Sequence, residues 1–171
     1  LIKIETRPEA VTAGAPDWTL EFFYDSQGRR WKKTVSEGGI LQRTHLFLYD
    51  DWNCIREVVT DHKVSPEPDH QWARNYVWGL DLSGSMQGAG GVGGLLAIHL
   101  DDPHRPPFAF FPCYDGNGNI LALIRDDNTL AATYDYGPFG EQLRADGLGA
   151  DVCPWRFSTE FFDYETQLVY F

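Results

Sequence analysis

The sequence predicts an all-β fold, a run of consecutive antiparallel β-hairpins forming a curved sheet. Composition is the first observation behind that expectation. Trp, Tyr and Phe supply 15% of the 171 residues while Met occurs once, and 17 Gly and 10 Pro punctuate the chain, which suits strands and turns better than helices. Patterning is the second. Short alternating or aromatic runs recur from end to end, each closed by a Gly, Asn or Asp cluster, and helical periodicity is nearly absent. A hydrophobic share of 43% is close to the globular average and sufficient for a buried core.

The first hairpin pairs Leu20–Tyr24 with Arg29–Val35 across the turn-tolerant Asp25, Ser26, Gln27 and Gly28. Within it, the basic run Arg29, Arg30, Lys32, Lys33 around Trp31 reads as the solvated face and end of a strand. A second turn at Ser36–Gly39 leads into Leu41–Tyr49, and Asp50–Asn53 turns that strand into Cys54–Thr60. Residues 61–71, with Pro66 and Pro68, read as a loop between hairpins, and Trp72–Trp78 restores the strand pattern. Gly79–Gly94 is flexible in composition. The short apolar run Leu95–Leu100 follows, Asp101–Pro107 breaks it because proline denies a sheet its donor, and strands resume at Phe108.

A tyrosine followed by a turn recurs at Tyr24-Asp25, Tyr49-Asp50, Tyr114-Asp115 and Tyr134-Asp135, with Tyr76 opening a degenerate member. The spacing is irregular but lies in the range of roughly 20 to 50 residues of repeat architectures. Tyrosine closes a strand with an amphipathic ring, and Asp tolerates the turn.

Charge and motifs exclude several functions. A net charge of −11 argues against nucleic acid and repels anionic lipid, since both are bound mainly through Lys and Arg. Cys54, Cys113 and Cys153 lack disulfide or zinc spacing and read as small buried apolar residues. No apolar run reaches membrane-helix length, and Leu1 opens neither on Met nor on a signal-peptide profile. Gly88–Gly93 satisfies GxGxxG without the strand and helix that a dinucleotide site requires. Asp115, Asn117, Asn119 and Asp126 have calcium-loop spacing, but Ile120 stands where an EF-hand needs glycine. The pairs Asp50-Asp51, Asp101-Asp102 and Asp126-Asp127 read as turns, because adjacent strand residues face opposite ways. His45, His62, His70, His99 and His104 read as surface or loop residues without metal spacing, and Ser83, Ser85 and Cys153 have no activating base in view. No catalytic, cofactor-binding or metal-ligating residue is assigned.

Three blocks, Tyr114–Ile124, Leu130–Gly140 and Pro154–Leu168, closely resemble in order and spacing the RHS repeat-associated core. Phe23–Arg30 resembles a YD repeat, and Trp78–Gly84 with the glycine run resembles what precedes the core in bacterial members. The resemblance implies YD-repeat-like hairpins over 1–107 and a C-terminally truncated core over 108–171, in one continuous sheet. It implies part of the wall of a β-shell in a secreted or cell-surface protein of the bacterial polymorphic-toxin type, not an enzyme. The implied partners are flanking RHS repeats and an encapsulated C-terminal toxin. A second reading is a cell-surface adhesion module contacting glycans or a protein through exposed Trp and Tyr. Two residues depart from the family pattern: Gln167 stands where a positive-φ glycine is expected, and Gly137 replaces an Asp that would cap its turn.

Overall fold

The computed structural model describes residues 2–62 and 68–170, so the centre of the loop expected over 61–71, Pro66 included, lies outside the described residues. Among the described residues, eleven strands form one antiparallel sheet in which each strand pairs with its neighbours in sequence. They are β1 (Lys3–Glu5), β2 (Trp18–Tyr24), β3 (Arg30–Glu37), β4 (Ile40–Asp50), β5 (Asn53–Asp61), β6 (His70–Trp78), β7 (Leu95–Asp101), β8 (Ala109–Tyr114), β9 (Ile120–Arg125), β10 (Leu130–Tyr136) and β11 (Gln142–Asp146). A short helix α1 (Pro8–Thr12) joins β1 to β2. A separate hairpin, β12 (Phe161–Asp163) and β13 (Leu168–Tyr170), follows. The all-β class and the run of consecutive hairpins match the expectation from sequence.

Alternation decides which face is buried. Leu20 and Phe22, His45 and Phe47, Arg74 and Tyr76, and Ala132 and Tyr134 point to the covered inner face, whereas Phe23, Leu46, Leu48 and Val77 stay exposed on the outer one. At the end of every even-numbered strand from β2 to β10 the register shifts, just before Tyr24, Tyr49, Trp78, Tyr114 and Tyr136. The partner strand carries the extra residue: Trp31, Ile55, Leu96, Leu121 and Leu143 are skipped. These bulges leave backbone groups outside the ladder. The next hairpin's terminal aromatic supplies a donor: Tyr49 to the Arg30 carbonyl (3.0 Å), Trp78 to Cys54 (2.7 Å), Tyr114 to Leu95 (2.6 Å) and Tyr136 to Ile120 (2.6 Å). The repeated unit is therefore a hairpin whose bulge is completed by its successor.

The turns repeat as well. The Asp25 carboxylate accepts the amides of Gln27 and Arg29, both at 2.9 Å, while Gly28 sits at φ 84°. Asp115 does the same for Asn117 (2.8 Å) and Asn119 (3.0 Å), with Gly118 at φ 76°. Tyr134-Asp135 does not begin a turn, contrary to the sequence expectation: both lie within β10, and Asp135 pairs with Arg144. Tyr134 and Tyr136 share the inner face, so either could close the strand, and Tyr136-Gly137 is the true unit. The Gly137 amide bonds the Glu141 carbonyl (2.8 Å), as the Asp25 amide bonds Arg29 (3.0 Å). The missing Asp cap is replaced from the other end of the turn, where the Glu141 carboxylate accepts the Phe139 amide (3.0 Å) and overlies Gly137 so closely that a Cβ there would collide with it. Tyr76 likewise lies inside β6, and Trp78 takes the strand-end place.

Candidate functional site

Residues 147–170 cross the inner face as a strap. Its middle is pinned by a kink at Ser158 (φ 51°) and Thr159 (φ 55°), a backbone conformation that side chains disfavour and that needs holding from outside. Asn119 Oδ1 accepts the Ser158 amide (2.7 Å), and Thr159 Oγ1 donates to the Gly118 carbonyl and accepts the Gly93 amide, both at 2.8 Å. One residue thus ties the strap to the glycine-rich loop and to the Asp115 turn.

Over β7–β10 the strap covers apolar side chains: Leu95, Ile98, Ile120 and Leu123 are fully buried with Val152 and Cys153 against them. Over β3–β6 it covers charges. Arg30 Nη1 and Lys33 Nζ both reach the Asp163 carboxylate at 2.9 Å, and Lys33 also reaches Glu165 (2.7 Å). The basic run expected to be solvated is split by the bulge at Trp31, which turns two residues three apart to the same face: Arg30 and Lys33 are 4% and 1% exposed, and only its outward members face water. Beside them Glu57, wholly buried, accepts from Arg74 (2.7 Å) and the Tyr76 hydroxyl (2.8 Å) and shares a 2.7 Å bond with His45 Nδ1. Burial alone would raise the Glu57 pKa, but Arg74 and His45 hold it well below the carboxylate range. Burial depresses that of His45. His45 is therefore a core residue, not the surface or loop histidine that the sequence suggested. Cys54 and Cys153 are buried as expected, whereas Cys113 is exposed on the outer face of β8.

Between the strap and the strand ends β4–β6 lies a cavity of about 480 Å³. Tyr49, Trp52, Trp78, Trp155, Phe161 and Tyr170 form its aromatic wall, so three of the six tryptophans converge on it. Trp155 packs edge-on against Trp78 (5.1 Å between centroids) and Phe161 (5.6 Å). Three buried donors in residues of this lining have no partner among the described residues: Arg30 Nε, Gln87 Nε2 and Trp155 Nε1. Glu160 also lines the cavity, and burial pushes its carboxyl up to about 7. Sequence reasoning missed this constellation, whose members lie in four separate segments.

The motifs singled out in the sequence fall elsewhere. Amides of the GxGxxG stretch are occupied, since the Asp81 carboxylate accepts those of Ala89 (2.7 Å) and Gly91 (3.2 Å) as well as the Ser83 hydroxyl (2.6 Å). Asp126 lies beyond the far end of β9 from Asp115, so the calcium-loop spacing does not close into a ring. Asp102 and Asp127 bind amides two residues on, at 2.8 and 3.0 Å, and Asp51 takes a turn conformation at φ 52°. Ser83 and Ser85 bond one another at 2.9 Å beside Asp81, and Cys153 Sγ donates to the Trp155 carbonyl. Gln167 stands at positive φ (57°), the turn conformation expected where the resembled pattern has glycine. No helix among the described residues is long and apolar enough to cross a membrane.

No protein-family model matches the chain. No curated protein matches it either. Solved structures do: crystal structures of TcdB2-TccC3-Cdc42 and of TcdB2-TccC3 each superpose with a TM-score of 0.71 at 16% identity over 99% of this chain. The Photorhabdus luminescens Tc holotoxin pore follows at 0.51, with 11% identity over 89%. This chain spans 8% of the length of each of those chains. Over nearly its whole length, then, it has the fold of a segment of the TcdB2-TccC3 complexes.

Proposed function

We propose that the chain is a wall segment of an RHS-type β-shell, a structural and non-catalytic part of a larger secreted or cell-surface protein that encloses a C-terminal effector. Residues 1–107 supply YD-repeat-like hairpins, and 108–171 the repeat-associated core. The observation that carries this reading is the link between successive hairpins, in which a carbonyl at each of the first four bulges is completed by the aromatic of the next hairpin. Such a unit has neighbours built into its chemistry, as stacked repeats do. The open edges at β1 and β11, each with one strand neighbour, suit continuation into flanking repeats, and the likeness to segments of the TcdB2-TccC3 complexes supports the same view.

Open edges self-associate. Sedimentation velocity of the isolated chain should show association that grows with concentration and is suppressed by Ile2→Lys with Leu143→Lys, which place charge on exposed positions at the two edges. A strictly monomeric chain whose cooperative unfolding requires an added cofactor would count against a wall segment.

A further inference from the structure

Enclosure gives no use to the aromatic cavity, whose 480 Å³ lies within the range of roughly 300 to 1,000 Å³ typical of small-molecule sites. The polar groups around it divide in two. Arg30 Nε, Gln87 Nε2 and Trp155 Nε1 are sealed in the packing, beyond the reach of any ligand. The Asn53 carboxamide is not. Asn53 lines the cavity and is 7% exposed, and its amide has no hydrogen-bond partner among the described residues, yet it is not sealed as those three donors are. Gly91, at φ 84°, keeps the space beside it: a Cβ there would crowd Asn53 Oδ1 at 3.3 Å and touch the Trp78 ring at 3.5 Å. Glu160 is the second open group. Half-buried in the same lining, it has no ion pair or side-chain hydrogen bond among the described residues, and burial alone accounts for its raised pKa, so no cation answers it.

We propose that this cavity binds a planar nitrogen heterocycle of nucleobase type, its edge hydrogen-bonded to the Asn53 carboxamide, an N–H accepted by Glu160, and its face against the aromatic wall. The two open groups decide between ligand classes. A carboxamide presents a donor and an acceptor side by side in one plane, so its full complement is an edge with an acceptor beside a donor, as when Asn reads N7 and N6 of adenine. Base rings also stack on aromatic side chains whatever the base. An apolar ligand would fill the wall and leave Asn53 and Glu160 unmet. A quaternary ammonium suits the rings and Glu160, but has no hydrogen for the oxygen of Asn53 and no acceptor for its N–H. An anion finds no free cation. Arg29 is held by Asp25 at 2.8 Å, and Arg30 by Asp163 at 2.9 Å, with the rings of Phe22 and Tyr170 4.4 and 4.1 Å away. A base ring is uncharged, so the net charge of −11 that opposes a phosphate backbone does not oppose it. Trp52, 55% exposed on the turn between β4 and β5, stands at the accessible side and supplies a stacking surface.

The test uses the full chain and saturation-transfer NMR with adenosine, guanosine, cytidine and uridine, with toluene, choline and acetate as apolar, cationic and anionic probes. At least one nucleoside should bind with a dissociation constant of about 0.1 to 1 mM. Asn53→Leu, close to the parent in shape, should weaken that binding by about tenfold without lowering the melting midpoint, because an amide with no partner adds nothing to the fold. Trp52→Ala, at an exposed site, should weaken it by about fivefold or more and keeps the test decisive even if Asn53→Leu does not fold. A single-stranded oligonucleotide of the best-bound base separates sources: binding as tight as that of the nucleoside identifies a base within a nucleic acid, and weaker binding a free heterocycle, either supporting the proposal. It is overturned by the absence of binding by every nucleoside, by toluene, choline or acetate binding more tightly than all four, or by nucleoside binding indifferent to Trp52→Ala or to a folded Asn53→Leu.

Discussion

The strap rests on two unlike surfaces. Over β7–β10 it meets Leu95, Ile98, Ile120 and Leu123, and over β3–β6 it meets Arg30, Lys33, Glu57 and Arg74. Apolar burial is strong but indifferent to small displacements, since one methyl group serves nearly as well as another. Buried ion pairs add little net stability because desolvation offsets most of their attraction, yet they tolerate no mismatch. The contrast assigns adhesion of the strap to one half and its exact placement to the other. Asp163, holding Arg30 and Lys33 from a position 130 residues downstream of Lys33, is the clearest instance.

The most severe way to break this division is Glu57→Ala, which strands the Arg74 guanidinium in the interior; a loss of about 4 kcal/mol in urea unfolding is expected. Below about 1 kcal/mol, the charged half would not be buried as described. Leu123→Ala tests the apolar half and should cost about 3 kcal/mol, with strap and sheet still unfolding together. Next in size is the acid in the cavity. The folded-state pKa of Glu160 stands at about 7, above its ordinary 4.5, so whatever stability its protonated form brings is complete below pH 4.5 and is lost as pH rises through 7. Glu160→Gln should therefore gain on the parent across that window, by ~1 kcal/mol once solvent screening is allowed for; melting curves that stay parallel from pH 4.5 to 7.5 would contradict it. Tyr136→Phe, removing the donor to the Ile120 carbonyl, should cost about 1 kcal/mol and leave the core untouched. Smallest is Gln167→Gly, which relieves a positive φ and should raise the melting midpoint by an amount equivalent to ~0.5 kcal/mol.

Much of the sheet was legible because its signals are local. Asp25–Gly28 and Asp115–Gly118 carry their turn chemistry within five residues, and alternation marks the strands that flank them. The bulges were written in the sequence too, though unread: inward positions at the start of the odd strands are three apart, as in Arg30 and Lys33 or Ile120 and Leu123, where an unbroken strand would space them by two. Tyr134-Asp135 was misplaced for a related reason, because counting a dipeptide ignored that the turn frame at Gly137 is made by backbone and Glu141. Long-range partners were not legible at all. Nothing near Arg30, Lys33 or His45 discloses that Asp163 and Glu57 will neutralise or accept from them, so those side chains were read as solvated. The cavity shares this fate, its lining coming from β3–β6, the turns beside them, the glycine-rich loop and the strap.

The hydrogen bonds from Tyr49, Trp78, Tyr114 and Tyr136 to the hairpin before each all point one way along the chain. A ribosome releases the accepting hairpin of each such pair before the donating one. Each emerging hairpin would stay incomplete at one carbonyl until its successor arrives, then be locked by it, so that growth advances as a ratchet whose newest unit alone is loose. Removing a donor such as Tyr114 would then stall that progression locally, and the defect would lie upstream of the altered residue, in the strand opening at Leu95.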